Sequence, residues 1–261
     1  MSISVAIALL ISGVLVGFIN TLAGGGSVIS LSLFLFLGLP VDVANGTNRI
    51  AIVLQNLSSV GTFRRSKLIN FSFANKLAIP AVIGSILGAQ LAVNIDKALV
   101  ERVFAVMLVF VALFMLINPK HYLHGRPAMQ NEKVSPLTIL IFFLIGLYGG
   151  FIQVGVGYFL LAALVMGAGL DLVKANAVKV WIVLLYSPVA LAVFIANGAV
   201  HWSYGLMHGL GNIGGAILAS RMAIQKGVNF VRWVIIAVIA ITSMQLTGLF
   251  SFSDLISWFM R

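Results

Sequence analysis

The sequence predicts an all-α polytopic membrane protein made of two homologous halves, and three observations carry that prediction. Of its 261 residues 61% are hydrophobic and only 8% charged, whereas soluble domains carry about 25% charged residues. Apolar blocks long enough to cross a bilayer recur along the chain, without the alternation a β-barrel requires. The chain also repeats itself. Gly24-Gly25-Gly26 leads to Gly38-Leu39 and Ala44-Asn45, and Gly155-Val156-Gly157 leads to Gly169-Leu170 and Ala175-Asn176 at the same spacing. A second echo pairs Gly84 to Ala92 with Gly211 to Ala219.

Eight apolar blocks follow in order: 3–37, 49–63, 71–93, 99–117, 135–169, 177–198, 203–220 and 232–250. The first and fifth are too long for one crossing. At about 35 residues each they would run about 50 Å as continuous helix, against a hydrocarbon core of about 30 Å. Each carries its glycine cluster near the middle, so segments 27–37 and 158–168 are expected to be broken or re-entrant helices buried by neighbours. Gly84, Gly88, Gly211 and Gly215, spaced four apart in pairs, read as close helix packing. Asp42 and Asp171, flanking the broken helices, read either as helix N-caps or as carboxylates for proton coupling.

Charge decides the count. With one crossing per block, the sixteen Lys and Arg residues divide evenly between the two sides. When both long blocks turn at their glycines, Arg49, Lys97, Arg102 and Arg261 stand on one side and the other twelve on the opposite one. The positive-inside rule prefers this version. The chain then has about 8–10 transmembrane segments, ten in the preferred form. Five passages per half make the second half inverted, with both termini outside. The first membrane repeat is 1–117, an inside loop 118–134 joins the halves, and the second repeat is 135–261. A multi-pass location in the cell (inner, cytoplasmic) membrane follows, with lipid as a partner. The net charge of +10 reads as this inside bias and not as affinity for nucleic acid. Homo-oligomerisation stays open.

Polar residues gather at the glycines. Asn20, Thr21, Gly24, Gly25, Gly26 and Ser27, with Thr47, Asn48 and Arg49, form the first-half candidate substrate site. Gln153, Gly155, Gly157, Asn176 and Lys179 form its second-half counterpart. Uncovered N–H groups beside the glycines, and a helix starting at Ser27 with its positive dipole end toward the gap, favour an anion. Arg49 could instead snorkel to the headgroups, and Lys179 could be an inside-facing anchor. Gln55, Asn56, Ser58, Ser59, His208 and Asn212 could also reach the site. All six acids sit at expected ends or loops. A cation carrier would normally need a carboxylate in the membrane, so an anionic or neutral polar substrate is indicated.

An enzyme finds no support: the chain has no cysteine, no HExxH, no pair of buried acids, and histidines scattered at 121, 124, 201 and 208. Neither a cofactor nor a metal site is expected.

On the Gly17 to Ser27 run, Gly38-Leu39-Pro40 with Ala44 to Asn48, Pro80 to Leu91 and their second-half echoes, the chain resembles the TauE/SafE, or 4-toluene sulfonate uptake permease, family. The resemblance implies a carrier for sulfite, thiosulfate, sulfoacetate, organosulfonates or related anions, with export often proposed. Gly155-Val156-Gly157-Tyr158 departs from a fuller glycine run, and Gly169-Leu170-Asp171 lacks the proline; Tyr158 would narrow the pocket. Repeats of this kind work by rocking about a fixed central site. An anion channel, or a carrier of other small organic anions, is the alternative.

Overall fold

A computed structural model describes residues 1–94 and 134–246, with side chains described as far as residue 238. The expected passage 99–117, the linker from 118 to 133, and Asp96, Glu101, Glu132 and Asp254 lie outside the described residues. Among those described, every regular element is helical. The first half contributes α1 (Ile3–Leu22), α2 (Ser27–Phe36), α3 (Val41–Arg65) and α4 (Phe71–Asn94). The second contributes α5 (Pro136–Phe151), α6 (Val156–Ala162), which runs on as a wider π turn over Ala163–Gly167, α7 (Leu172–Ala196) and α8 (Trp202–Leu246).

Local sequence accounts for the boundaries. Both long apolar blocks break at their glycines, between α1 and α2 and between α5 and α6. Gly38 and Gly169 take positive φ, 85° and 68°, directly after the short helices. There the N–H groups of Leu39 and Leu170 turn back onto the carbonyls of Phe34 and Leu164, at 3.0 and 3.1 Å. The repeated Gly-Leu is therefore a helix stop, because a residue with a Cβ is strained in that conformation. Asp171 caps α7 by accepting from the N–H groups of Val173 and Lys174 at 3.0 and 2.9 Å. Asp42 differs from its expected role as a cap before residue 43: α3 starts at Val41 after Pro40, which leaves Asp42 inside the first turn. Gly227, at φ 71°, bends α8 between the two apolar blocks read there.

Helix pairing exchanges partners between halves. α1 packs on α8, and α4 on α5. A Cβ on Gly211 would overlap Leu10 O, and one on Gly215 would overlap Val14 O. One turn along α8 thus matches one turn along α1, so the two run in the same direction. Gly84 meets Phe143 O and Gly88 meets Leu147 O, which makes α4 and α5 parallel in the same way. The four-spaced glycines are packing surfaces: bare backbone lets the helices approach until dispersion contacts and Cα–H···O contacts hold them. α3 and α7 run oppositely, because Gly46 near the start of α3 lies against Phe194 near the end of α7, while Ile52, Gln55 and Asn56 share a cavity with Lys179 and Val183. Ile3, Ile11, Ile79 and Leu57 are exposed on the outside, as lipid-facing residues are. Three described helices, α1, α4 and α7, are long and apolar enough to cross a membrane alone.

Candidate functional site

The two glycine clusters touch. A Cβ on Gly24 would overlap Gly157 Cα, and one on Gly157 would overlap Gly24 Cα, so the breaks in both long blocks meet backbone to backbone. Beside this contact lies a small cavity of about 20 Å³ lined by Asn20, Gly24, Ser27, Ile52, Gln55, Asn56, Gln153, Gly157, Lys179 and Val183. Its size suits one water molecule. Four amide side chains, a hydroxyl and an ammonium give it many hydrogen-bond donors and no carboxylate. Asn20 organises one wall: its Nδ2 donates to Ser27 Oγ and to Gln55 Oε1 at 3.3 and 3.4 Å, while its Oδ1 accepts from the Ser27 N–H at 3.2 Å. That amide therefore takes one of the free N–H groups at the start of α2 that the sequence offered to an anion.

Two cations are buried here at near-equivalent positions, one residue apart in the repeat. Lys179 Nζ donates to the carbonyls of Asn20 and Thr21 at 3.0 and 2.8 Å, and to Asn176 Oδ1 at 2.6 Å. Arg49 Nη2 donates to the Gly150 carbonyl at 2.6 Å and to Asn45 Oδ1 at 3.4 Å. Asn45 Nδ2 donates to the Phe151 carbonyl at 2.8 Å. The arrangement repeats. A cation on the third helix of each half, with an Asn on the same helix accepting from it (Arg49 with Asn45, Lys179 with Asn176), holds the last turn of the other half's first helix; Asn45 also donates to that turn, whereas Asn176 does not. That turn ends in carbonyls without helical partners and carries the negative end of the dipole, which offsets part of each cation's charge. Arg49 also stacks over Phe194, 4.6 Å from guanidinium carbon to ring centroid.

Neither charge meets an acid among the described residues. The described ion pair is Lys174 with Asp171 at 3.4 Å, near the start of α7. Arg49 is fully buried and Lys179 is 2% exposed, and a charge without a counter-ion in low dielectric costs several kcal/mol. Polar atoms around them also lack hydrogen-bond partners among the described residues: Arg49 Nε and Nη1, both amide atoms of Asn48, Gln153 Oε1 and Asn176 Nδ2. Such a set can bind an anion. It supplies no nucleophile paired with a base, and among the described residues no cluster of metal-ligating side chains occurs.

The family model for the sulfite exporter TauE/SafE matches residues 9–246, nearly the whole chain. This chain belongs to the TauE/SafE family. Among its relatives, a probable membrane transporter protein, ORF9, of a Sinorhizobium species is 29% identical over 232 residues, covering 88% of this chain and 87% of that one. A probable membrane transporter protein of Haemophilus influenzae is 29% identical over 220 residues, with 84% and 86% covered. The probable membrane transporter protein YfcA of Escherichia coli K12 is 27% identical over 233 residues, with 89% and 86% covered. No solved structure matches. The chain is thus a membrane transporter by family, and its relatives are named as transporters and not as enzymes.

Within this TauE/SafE chain, Asn20, Gly24, Ser27, Gln153, Gly157 and Lys179 of the sequence-derived set meet at the cavity. Asn176 stands behind Lys179, and Thr21 gives Lys179 its carbonyl while its hydroxyl bonds Ser59 Oγ at 3.2 Å. Arg49 faces the end of α5 instead of the cavity. Gln153, which does line the cavity, donates to Tyr186 OH at 2.9 Å. Asn48 is buried beside Arg49. Thr47 points elsewhere, accepting from the His201 N–H at 2.9 Å ahead of α8. Gly25 lies against the Tyr158 ring, Gly26 against Val16 O and Asn20, and Gly155 precedes α6 at φ 70°. Tyr158 does fill space beside the glycines, as its replacement of a glycine implied. Gln55 and Asn56, legible only as further polar residues on α3, are full members of the lining. Tyr186 and Phe194 gave no signal in an apolar run. His208 and Asn212 do not line the cavity.

Proposed function

We propose that this protein is a secondary carrier moving small sulfur-containing anions (sulfite, thiosulfate, sulfoacetate or another organosulfonate) across the cytoplasmic membrane by alternating access of two inverted repeats. The observation that carries the reading is a buried cation, Lys179, in the lining of a polar cavity that has no carboxylate in it, with a second buried cation, Arg49, at the end of α5. Sulfur oxyanions present several acceptor oxygens, which suit amide, hydroxyl and ammonium donors held in a dry site. The family model's description as a sulfite exporter agrees in chemistry and favours outward movement. Opposite directions of α3 and α7, and the exchange of the two Asn–cation clamps between halves, fit repeats related by inversion. A cavity that holds one water fits a carrier between its open states better than a channel. In this reading an entering oxyanion widens the cavity and takes over donors that Lys179 now spends on the end of α1.

Purified protein in detergent is expected to gain thermal stability with one of sulfite, thiosulfate, sulfoacetate or taurine and none with acetate. Lys179→Met, which keeps the length of the side chain without its charge, should reduce saturable flux in proteoliposomes at least about tenfold, equivalent to about 1.4 kcal/mol of lost transition-state stabilisation. Undiminished flux in that variant would remove Lys179 from the site. Conductance far above carrier turnover in a planar bilayer would favour the channel.

A further inference from the structure

His208 is a buried titratable group that the anion site does not use. It lies on α8 in the second half, has no exposed surface, and touches two helices of the first half. Its Nδ1 is 3.1 Å from the Leu9 carbonyl and 3.2 Å from Ser12 Oγ, both on α1. Its Nε2 is 2.9 Å from Ser30 Oγ on α2, and Phe34 packs edge-on to the ring at 5.3 Å. Ser12 Oγ itself donates to Leu9 O at 3.1 Å. A carbonyl can only accept, so Nδ1 carries the ring hydrogen and Nε2 accepts from the Ser30 hydroxyl.

We infer that His208 is the site of a coupling proton, taken up and released once per transport cycle, and that Ser30 conveys its charge state to the anion cavity. The inference rests on the carrier function proposed above. A proton added at Nε2 turns that nitrogen into a donor. Ser30 must then accept, and its own hydroxyl hydrogen has to leave the ring. Ser30 stands one turn along the ten-residue α2 from Ser27, which lines the cavity and is held by Asn20. Protonation therefore changes how α2 is fastened to α8, at the contact between halves that rocking would open and close. It also adds a positive charge near a site for anions, so that a monovalent anion and a proton cross together with no net charge.

Among the described residues, the hydrogen-bond partners of His208 include no acid. α1 and α2 carry no titratable side chain. On α3, Asp42 lies in the first turn, Arg49 is turned to the Gly150 carbonyl, and Arg64 and Arg65 end the helix. On α7, Lys179 is committed to Asn20 and Thr21, Tyr186 to Gln153, and Lys174 to Asp171. His201, ahead of α8, and Tyr204 stack on each other at 4.0 Å; Arg221 and Lys226 lie further along α8 just before its bend at Gly227, and Arg232 lies past it. Among the described residues of this contact, the imidazole is the group whose ordinary titration range falls near neutral pH.

Proteoliposomes containing the protein, with membrane potential clamped to zero, decide the matter using radiolabelled methanesulfonate and sulfoacetate, a monovalent and a divalent sulfonate whose charges do not change near neutral pH. Counterflow of unlabelled against labelled anion measures carrier action alone, and accumulation under a pH gradient measures coupling. Wild type is expected to accumulate anion toward the alkaline side, approaching about tenfold per unit of gradient for one proton per anion. His208→Gln is expected to lose this accumulation while keeping counterflow within about twofold. Ser30→Ala, a smaller side chain at a packed position, tests the same link without touching the ring and should shift the midpoint of the pH profile. Wild-type counterflow with no response to the gradient overturns the proton site and leaves the carrier standing. Gradient-driven accumulation that survives in His208→Gln, or a wild-type pH profile in Ser30→Ala, also overturns it. Absence of counterflow for every anion overturns the carrier function and the coupling with it.

Discussion

Lys179 and Arg49 are each held by carbonyls of a helix end instead of a carboxylate, and this choice of partner bears on what the site can do. Carbonyl dipoles offset a cation only partly, so the pair keeps a positive field that a carboxylate would have cancelled. Single residues around them carry the local geometry. Gly24 has φ 91° and lies against Gly157 Cα, so Gly24→Ala meets both backbone strain and overlap. A loss of about 1–3 kcal/mol is expected, read as a lower unfolding temperature in detergent. Gly61 is the control: it lies in α3 with open space at its Cβ, and Gly61→Ala should raise stability by up to about 1 kcal/mol through helix propensity. Equal effects of the two substitutions would contradict the contact between the glycine clusters. Sequence spacing already marked the two glycine clusters, 24–26 and 155–157, as equivalent, Gly24 matching Gly155 and Gly26 matching Gly157. That they touch was not legible, because a repeat fixes which residues correspond and leaves open where the two copies meet.

Among the helices, the four-spaced glycines at 84, 88, 211 and 215 decide which elements lie side by side. Their role as packing surfaces was legible from the spacing alone. Their partners were not, since a bare helix face accepts any neighbour of suitable shape. The structure pairs α8 with α1 and α4 with α5. Gly215→Val would drive a branched side chain into the Val14 carbonyl and Phe18 N–H and separate α8 from α1. It should destabilise the protein by about 1–3 kcal/mol or more, and by more than Gly214→Val, whose Cβ meets only a Val14 methyl group at 3.9 Å. Comparable unfolding temperatures for the two variants would argue against this pairing. The stops at Gly38 and Gly169 were equally plain as a repeat. The π turn after α6 was not, because nothing in Ala163 to Gly167 distinguishes it from an ordinary helical turn.

For the whole molecule, the exchange of α1 and α5 between halves explains why one duplicated unit does not pack on itself: each first helix and each Asn–cation clamp finds its partner in the other copy. The absence of cysteine from the chain makes the membrane arrangement directly testable. In single-cysteine variants, Ser66→Cys after α3 and Asn197→Cys after α7 are expected to react with a membrane-impermeant maleimide from opposite sides. The position 197 variant should label in intact cells, and the position 66 variant only after the membrane is opened. Labelling of both from one side would exclude inverted halves.

By itself, the sequence determined that the chain is a helical membrane protein, that a unit is duplicated, where both long apolar blocks break, and that polar groups collect at those breaks. Composition and spacing are properties of the chain, and the bilayer leaves few ways to satisfy its backbone. Only the tertiary structure decided that the breaks of the two halves meet, that Gln55 and Asn56 join Asn20 and Lys179 around a cavity the size of a water molecule, that Arg49 turns to the end of α5, and that His208 bridges the halves. Those are contacts between different helices, most of them between residues more than a hundred positions apart, and they depend on how helices with interchangeable apolar faces are chosen as neighbours, a choice that packing makes and periodicity does not encode.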